Sequence, residues 1–339
     1  MTAVIEAREL RKEFTVTEKS GRFRRTRRTV AAVDGIDLAV DRGEMVGYIG
    51  PNGAGKSTTL KMMTGVLTPT GGSVSVCGLR PVAERTRLAL RIGVVFGQRS
   101  QLWWDLPLRD SFELLRHVYR VPATDHAARL RECRSLLGLD EFEATPVRQL
   151  SLGQRMRGEI TAALLHRPDV LFLDEPTIGL DVVSKQAVRA FLTTIGAAGD
   201  TTLMLTTHDL ADIERLCPRL VVIDHGHVVH DGSLAELHAR YRSRRRVLVD
   251  LDAPIDLAAA RRDVAPASEI EAVAAAIGDV GPGVTVEHVS PDGCRIEFGL
   301  RDGANAGALV ARIAVVASLR DLSVIEPDIE DVVARIYRD

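Results

Sequence analysis

Apolar residues recur along the chain with two different periods, and their alternation predicts a layered structure of strands and helices. Short apolar runs typical of buried strands occur at Met45–Ile49, Val170–Leu173 and Thr202–Thr206. Apolar residues spaced three and four positions apart predict helices over Asp110–Tyr119 and Asp125–Leu137. Because strands alternate with helices up to about residue 235, we expect an α/β architecture with a largely parallel sheet.

The pattern changes after a basic stretch at Arg240–Arg246, which we interpret as a domain boundary. Downstream we expect strands at Val247–Asp252, Val284–Val289, Cys294–Phe298 and Leu322–Ile325, and helices at Ala267–Ile277, Asn305–Ala317 and Ile329–Tyr337. The order βαββαβ with a closing helix predicts a small α+β domain of the ferredoxin-like type. We therefore divide the chain into residues 1–240 and residues 241–339.

A glycine-rich loop follows the first buried strand. Residues 50–57 read GPNGAGKS and match GxxxxGK[ST] at every fixed position. In such a loop, backbone N–H groups surround phosphates at the positive end of the next helix. Lys56 would reach the β- and γ-phosphates of a nucleoside triphosphate, and the Ser57 hydroxyl would ligate Mg²⁺. The residues predicted to bind ATP here are Gly50, Pro51, Asn52, Gly53, Ala54, Gly55, Lys56, Ser57 and Thr58.

Two carboxylates, Asp174 and Glu175, end the second buried strand. Strands of a parallel sheet present their carboxyl ends at one edge, so we expect this pair to lie beside the phosphate loop. Asp174 would hold Mg²⁺, directly or through water, and Glu175 would polarise the attacking water as a general base. Acid pairs after a strand are also common in turns, so this prediction depends on the neighbouring loop.

Further motifs resemble those of ATP-binding cassette (ABC) proteins. The segment Leu150–Gln154, which reads LSLGQ, resembles the LSGGQ signature, with Leu152 in place of a glycine. The resemblance implies a P-loop NTPase cassette with a helical subdomain at about residues 100–160. It also implies that Ser151, Gly153 and Gln154 act on ATP bound by a second copy of the domain.

Other residues match this family's pattern in order. Gln98 resembles the Q-loop glutamine that touches Mg²⁺ and senses the membrane subunit, and Asp181 in IGLD resembles the D-loop aspartate. His208, after the third strand, resembles the switch histidine that contacts the γ-phosphate. Phe14 resembles the aromatic residue that stacks on adenine, although core packing explains it equally well.

Composition narrows the setting in which this ATPase would work. The 339 residues are 45% hydrophobic and 27% charged with a net charge of −2, so no nucleic-acid partner is indicated. Four scattered cysteines fit a reducing cytosol. Neither an apolar run of the ~20 residues that span a membrane nor a signal peptide is present, so we expect a peripheral protein on the cytoplasmic face of the plasma membrane.

Three classes of cassette protein share these motifs. A repair ATPase would carry a long coiled coil between Lys56 and Leu150, and a translation factor would carry two cassettes. One cassette without a membrane span fits a transporter subunit, with membrane permease subunits and a second nucleotide-binding subunit, expected to be identical, as partners.

The direction of transport is predicted from two further segments. The run Phe96–Pro107 resembles ABC-2-type export ATPases, as does the tail Ile325–Val332, so export is favoured and import stays the alternative.

Trp103 and Trp104 either pack inside or anchor the permease. The basic stretch Lys19–Arg28, within an insertion at about residues 18–30, is either a solvated insertion or a contact with anionic lipid or a partner.

Overall fold

The computed structural model describes residues 3–19, 25–97, 100–207, 209–240, 245–255, 273, 277, 283–301 and 304–325. The chain divides into two units, Met1–Leu234 and Ala235–Asp339. The boundary expected from the sequence, after residue 240, lies slightly later, at the end of a helix.

The first unit contains two sheets. Its strands, numbered along the chain, are β1 (Ala3–Lys19), β2 (Arg25–Asp41), β3 (Met45–Ile49), β4 (Gly71–Val76), β5 (Ile92–Phe96), β6 (Val170–Asp174), β7 (Thr202–Thr206), β8 (Arg219–Asp224) and β9 (His227–Ser233). Six of them form a sheet in the order β5-β6-β7-β3-β8-β9, parallel throughout except for the β8–β9 pair. The predicted parallel sheet and its three predicted strands are confirmed.

Helices cover this sheet because each presents an apolar stripe to it or to a neighbouring helix. They are α1 (Lys56–Met63), α2 (Arg85–Ala89), α3 (Leu108–Val118), α4 (Ala123–Leu137), α5 (Leu152–Leu164), α6 (Val182–Ala198) and α7 (Leu210–Leu216), with a short 3-10 turn at Val147–Gln149. A further helix, α8 (Leu234–Arg240), starts at the boundary of the two units. Prolines immediately precede α3 and α4, where the missing N–H costs no helical hydrogen bond. Both helices predicted from apolar spacing are thus present, each beginning two residues earlier than expected.

The described residues of the basic stretch near the amino terminus, Lys19 and residues 25–28, lie on two paired strands. Strands β1 and β2 pair antiparallel as far as Lys19 and Arg25, and Phe14 lies opposite Val30. The residues from Arg25 to Val30, which the sequence assigned to an insertion between strands, therefore belong to β2 itself. Strand β4 pairs with the other edge of β1 and completes the second sheet of this unit.

The second unit is an antiparallel sheet with a helix. Its elements are β10 (Arg245–Leu251), β11 (Val284–Val289), β12 (Arg295–Leu300), α9 (Ala306–Val316) and β13 (Leu319–Ile325). The sheet order β11-β12-β10-β13 is that of a ferredoxin-like domain. Of the helix predicted over 267–277, only Val273 and Ile277 are described, and both are buried in this unit's core. The closing helix predicted over 329–337 lies outside the described residues.

Within the described ranges, no helix combines the length and the apolar character needed to cross a membrane.

The strand that ends in Asp174 is fully buried along its apolar residues. Phe172, in the middle of β6, is fully buried within the cluster that fills the space beneath the phosphate loop. We expect Phe172→Ala to lower the free energy of unfolding by about 3 to 5 kcal/mol, because it removes apolar contacts and leaves a cavity. Urea titration measures this loss, and Val118→Ala, at a 60% exposed position, is the matched control. A loss below about 1 kcal/mol would contradict this account of the core.

Candidate functional site

The phosphate loop joins β3 to α1, and neighbouring backbone leaves no room for a side chain at two of its glycines. A Cβ atom on Gly50 would lie 2.3 Å from the carbonyl oxygen of Ile223. Gly55 has a φ of +106°, and its Cβ would lie 2.4 Å from the carbonyl oxygen of Ala32. The loop is also closed on itself, since the Ala54 N–H donates to the Pro51 carbonyl at 3.1 Å. The sequence therefore fixes a tight turn with its N–H groups at the start of a helix, a geometry suited to an anion.

Lys56 lies inside this loop. Its Nζ donates to the carbonyl oxygens of Gly50 at 2.5 Å and Pro51 at 3.1 Å, and the residue is only 7% exposed. Burial lowers the pKa of Lys56, while the negative charges of Glu175 and Asp174 oppose this shift. A buried ammonium held between its own loop and two carboxylates can neutralise phosphate charge without first losing a full shell of water.

The carboxyl end of β6 lies beside the loop, as predicted. The Ser57 hydroxyl donates to Asp174 Oδ1 at 3.3 Å, and the Thr206 hydroxyl donates to the same oxygen at 2.6 Å. A hydroxyl and a carboxylate side by side are the hard oxygen ligands that Mg²⁺ prefers, so these residues fit the predicted ion. Thr206 was not identified as a site residue from the sequence. The available signal was that Thr206 ends a predicted strand, β7, which lies between β6 and β3.

Glu175 has an unusual backbone conformation. Its φ is +56°, in the left-handed region that costs a residue with a side chain roughly 1 to 2 kcal/mol. Its N–H donates to the Thr206 carbonyl at 2.9 Å, which holds the turn against β7. Strain of this kind concentrates at functional sites, where the fold enforces one side-chain direction.

The signature segment forms the start of α5. Ser151 caps this helix through a reciprocal pair of hydrogen bonds with Gln154, in which the Ser151 Oγ accepts from the Gln154 N–H at 3.2 Å. Gly153 packs against α6, whose first turn is capped by Asp181. The Leu152 side chain lies over Gly179, where an added Cβ would be 3.0 Å from its Cδ2 atom. The leucine thus covers the D-loop glycine without displacing the signature serine from its capping position.

The Asp181 carboxylate accepts hydrogen bonds from the Ser184 N–H at 2.9 Å and from the Ser184 hydroxyl at 2.8 Å. The backbone hydrogen bond from Ser184 and then its hydroxyl lower the pKa of Asp181. Signature and D-loop are therefore joined through the start of α6.

Of the predicted site residues Gln98, His208 and Phe14, the structure describes only Phe14. Gln98 and His208 lie outside the described residues, and their roles stay predictions. Phe14 is 38% exposed on β1, with Lys12 Nζ 5.3 Å from its ring centre. Its interpretation as a core residue is therefore wrong, while adenine stacking stays a prediction.

The two tryptophans lie at the surface rather than in the interior. Trp103 is 40% and Trp104 51% exposed, so the alternative that they pack inside is wrong. The Arg155 guanidinium lies 5.7 Å from the centre of the Trp104 ring. A neighbouring cavity of about 250 Å³ is lined by Phe96, Gly97, Ser100, Trp104, Arg155, Met156 and Glu159.

Glu159 of α5, which the sequence analysis did not identify, binds the segment that precedes the two tryptophans. Its carboxylate accepts from the Ser100 hydroxyl and, at 3.2 Å, from the Gln101 N–H. Burial raises the pKa of Glu159, against the lowering effect of the hydrogen bonds from Ser100 and Gln101. The segment that follows the predicted Q-loop is therefore tied to the signature helix.

Comparisons with known proteins agree with this geometry. The sequence profile of the ABC transporter family matches residues 33–178. The chain is 31% identical over 230 residues to the ABC transporter ATP-binding protein NatA of Bacillus subtilis (strain 168), covering 68% of this chain and 93% of NatA. The chain belongs to the ABC transporter ATP-binding subunits.

Two other relatives of this ABC subunit are named for opposite directions of transport. It is 35% identical over 238 residues to the Nod factor export ATP-binding protein I of Cupriavidus pinatubonensis (strain JMP 134 / LMG 1197), covering 70% of this chain and 68% of that protein. It is 34% identical over 239 residues to the methionine import ATP-binding protein MetN 2 of Enterococcus faecalis (strain ATCC 700802 / V583), covering 69% of this chain and 66% of that protein.

Among solved structures, the ABC subunit resembles a dimeric post-hydrolysis state of the ATP-binding cassette MJ0796 bound to ADP and Pi. The TM-score is 0.57 at 26% identity, and the match covers 68% of this chain and 98% of that one. The predicted fold and ATPase activity are thereby confirmed.

The contact between signature and D-loop generates a prediction. An alanine at Gly153 would place its Cβ 2.2 Å from Ser184 Oγ and 2.7 Å from Ser184 Cβ. We expect Gly153→Ala to destabilise the ABC subunit by about 1 to 3 kcal/mol, since overpacking forces α5 and α6 apart. Thermal unfolding measures the change. The double variant Gly153→Ala/Ser184→Gly removes the clash and should recover part of the loss. No recovery would contradict this explanation.

Proposed function

We propose that this ABC subunit binds MgATP at residues 50–58 and hydrolyses it to drive export through a separately encoded ABC-2-type permease. The observation that carries the proposal is the arrangement of a buried lysine, a hydroxyl and two carboxylates around one loop. Lys56 lies within the loop, Ser57 hydrogen-bonds Asp174, and Glu175 is held in a strained turn next to them.

In the proposed reaction, a water molecule attacks the γ-phosphorus, the bond to the β-phosphate oxygen breaks, and ADP leaves. Glu175 would accept the proton of that water as general base. Lys56 and the loop N–H groups would stabilise charge on the transferred group, which is the larger part of catalysis in phosphoryl transfer. Mg²⁺, held by Ser57, Asp174 and Gln98, would supply further charge neutralisation, and His208 would contact the γ-phosphate.

The second half of the site would come from another copy of the chain. Ser151, Gly153 and Gln154 lie at the start of α5, a different element from those that carry Lys56 and Glu175. A head-to-tail homodimer would bring this helix start, with its positive dipole, to the γ-phosphate of the partner's ATP. The dimeric state of the similar cassette MJ0796 supports this arrangement.

The direction and the location belong to the same proposal. Export is favoured by the resemblance of Phe96–Pro107 to ABC-2-type subunits and by the similarity to the Nod factor export protein. The similarity to a methionine import protein keeps import as the second candidate. The subunit would act on the cytoplasmic face of the plasma membrane, and the membrane protein that co-purifies with it would identify the permease class.

The assignment of the base is tested by Glu175→Gln. We expect the variant to bind MgATP normally but to lose at least about 100-fold in kcat, because the amide cannot accept the proton of water. Release of phosphate measures kcat, and Glu141→Gln, at an exposed carboxylate elsewhere, is the control. Hydrolysis at the wild-type rate would show that Glu175 is not the base.

The docking role of the tryptophans is tested by changing both to alanine. Trp103 and Trp104 are exposed and aromatic, as anchors of an interface commonly are. We expect the double variant to lose coupled transport and its association with the co-purifying permease while ATP binding is unchanged. Val82→Ala/Leu90→Ala, at two exposed apolar positions on another segment, is the control. Unchanged association and transport would contradict the role.

A further inference from the structure

A buried carboxylate outside the motifs described so far connects three segments of the site. Asp212, in α7, is fully buried. Its Oδ2 accepts from the Thr177 hydroxyl at 2.6 Å, and its Oδ1 accepts from Arg189 Nε on α6. Burying a charge is costly unless its oxygens are paired, and here each oxygen has a donor from a different segment.

The start of α7 is held to α6 by a second carboxylate. Asp209 occupies the cap position of α7, yet its side chain makes no capping hydrogen bond. It accepts instead from Lys185 Nζ at 2.9 Å and from Arg189 Nη2 at 3.3 Å. Burial alone would raise the pKa of Asp209, but the hydrogen bond and charge of Lys185 outweigh it and the pKa is lowered.

Thr177 connects Asp212 to the strained turn at Glu175. It lies two residues after Glu175 and is 2% exposed. The Glu175 N–H is bound to Thr206 of β7, and the Thr177 carbonyl accepts from the Leu180 N–H at 3.3 Å. The Glu175 carbonyl also accepts from the Ile178 N–H at 3.4 Å. The strained turn is therefore held at its beginning by β7, across its own residues by this bond, and after its end by Asp212.

We infer that Asp212 is a positioning residue for Glu175, acting through the Thr177 hydroxyl. This inference rests on the proposed role of Glu175 as the base. With only its backbone hydrogen bonds to Thr206 and Ile178, the left-handed turn at Glu175 would be free to relax, because other backbone conformations are lower in energy. Asp212 removes that freedom and ties the turn to the basic residues of α6.

The chain offers a matched control for this claim. Thr201 is also a buried threonine, 5% exposed, whose hydroxyl donates to a carbonyl, that of Pro168, at 3.1 Å. It lies just before β7, at the end of the sheet opposite to Glu175. Thr201→Val and Thr177→Val remove the same group from comparably buried sites. Only Thr177→Val takes a donor from a buried carboxylate, so thermal unfolding of both variants is measured beside kcat to separate position from stability.

The test compares Thr177→Val, Thr177→Ser and Thr201→Val in the full-length chain. We expect Thr177→Val to lower kcat for ATP roughly tenfold, as a small misplacement of a catalytic group does, with the Kd for MgATP within about twofold of wild type. Thr177→Ser keeps the hydroxyl and should restore kcat, and Thr201→Val should leave kcat unchanged. An unchanged kcat in Thr177→Val, or an equal loss in Thr201→Val, would overturn the inference.

A double variant separates positioning from a structural role. If Thr177 acts through Glu175, Thr177→Val should cause no further loss of rate in a Glu175→Gln background. A full further tenfold loss there would overturn the inference while leaving the proposed base intact. Normal hydrolysis by Glu175→Gln alone would instead reject the base itself, so the two failures are distinguishable.

Discussion

The charge of Lys56 is the constraint on which the rest of the site depends. An ammonium that is 7% exposed needs oxygen atoms around it, and the loop supplies two of its own carbonyls. Those carbonyls are within reach only because Gly50 and Gly55 allow the loop to pass against neighbouring backbone. The carboxylates at the end of β6 add the opposite charge. A sheet in which β6, β7 and β3 are adjacent brings these groups to one edge.

The same constraint explains why the remaining groups lie where they do. Thr206 ends the strand between β6 and β3, so its hydroxyl can hold Asp174 while its carbonyl holds the Glu175 turn. On the other side of that turn, Thr177 connects to the ion-paired segment at the start of α7. The signature segment lies apart, at the start of α5, where Ser151 is exposed as a helix cap. Such a half-site suits a partner's nucleotide.

Much of this arrangement could be predicted from the sequence because its signals are local. The phosphate loop, the apolar strands and the two terminal carboxylates each occupy a short contiguous run. The structure chose between alternatives that depended on environment: Phe14 and the two tryptophans are exposed, and residues 25–28 of the basic stretch belong to β2. The sequence signal at these positions was aromatic or basic character, which does not distinguish interior from surface.

Glu159 and Asp212 could not have been found from a single sequence. Each is one acidic residue on a helix, and its partners lie at Ser100 and Thr177, far away along the chain. Only the packing of α5 and α7 against the loops shows that these carboxylates are buried and satisfied. Gln98 and His208, by contrast, are predicted from motif order alone and stay predictions.

The central claim is that one active site is built from the phosphate loop of one chain and the signature of another. The most direct measurement mixes two inactive variants, Lys56→Ala and Ser151→Ala, and records ATP hydrolysis. Each homodimer lacks one half of both sites, whereas a mixed dimer contains one intact pair. The account predicts about a quarter of the wild-type rate in an equal mixture, since about half of the dimers are mixed. A mixture no more active than its separate components would contradict it.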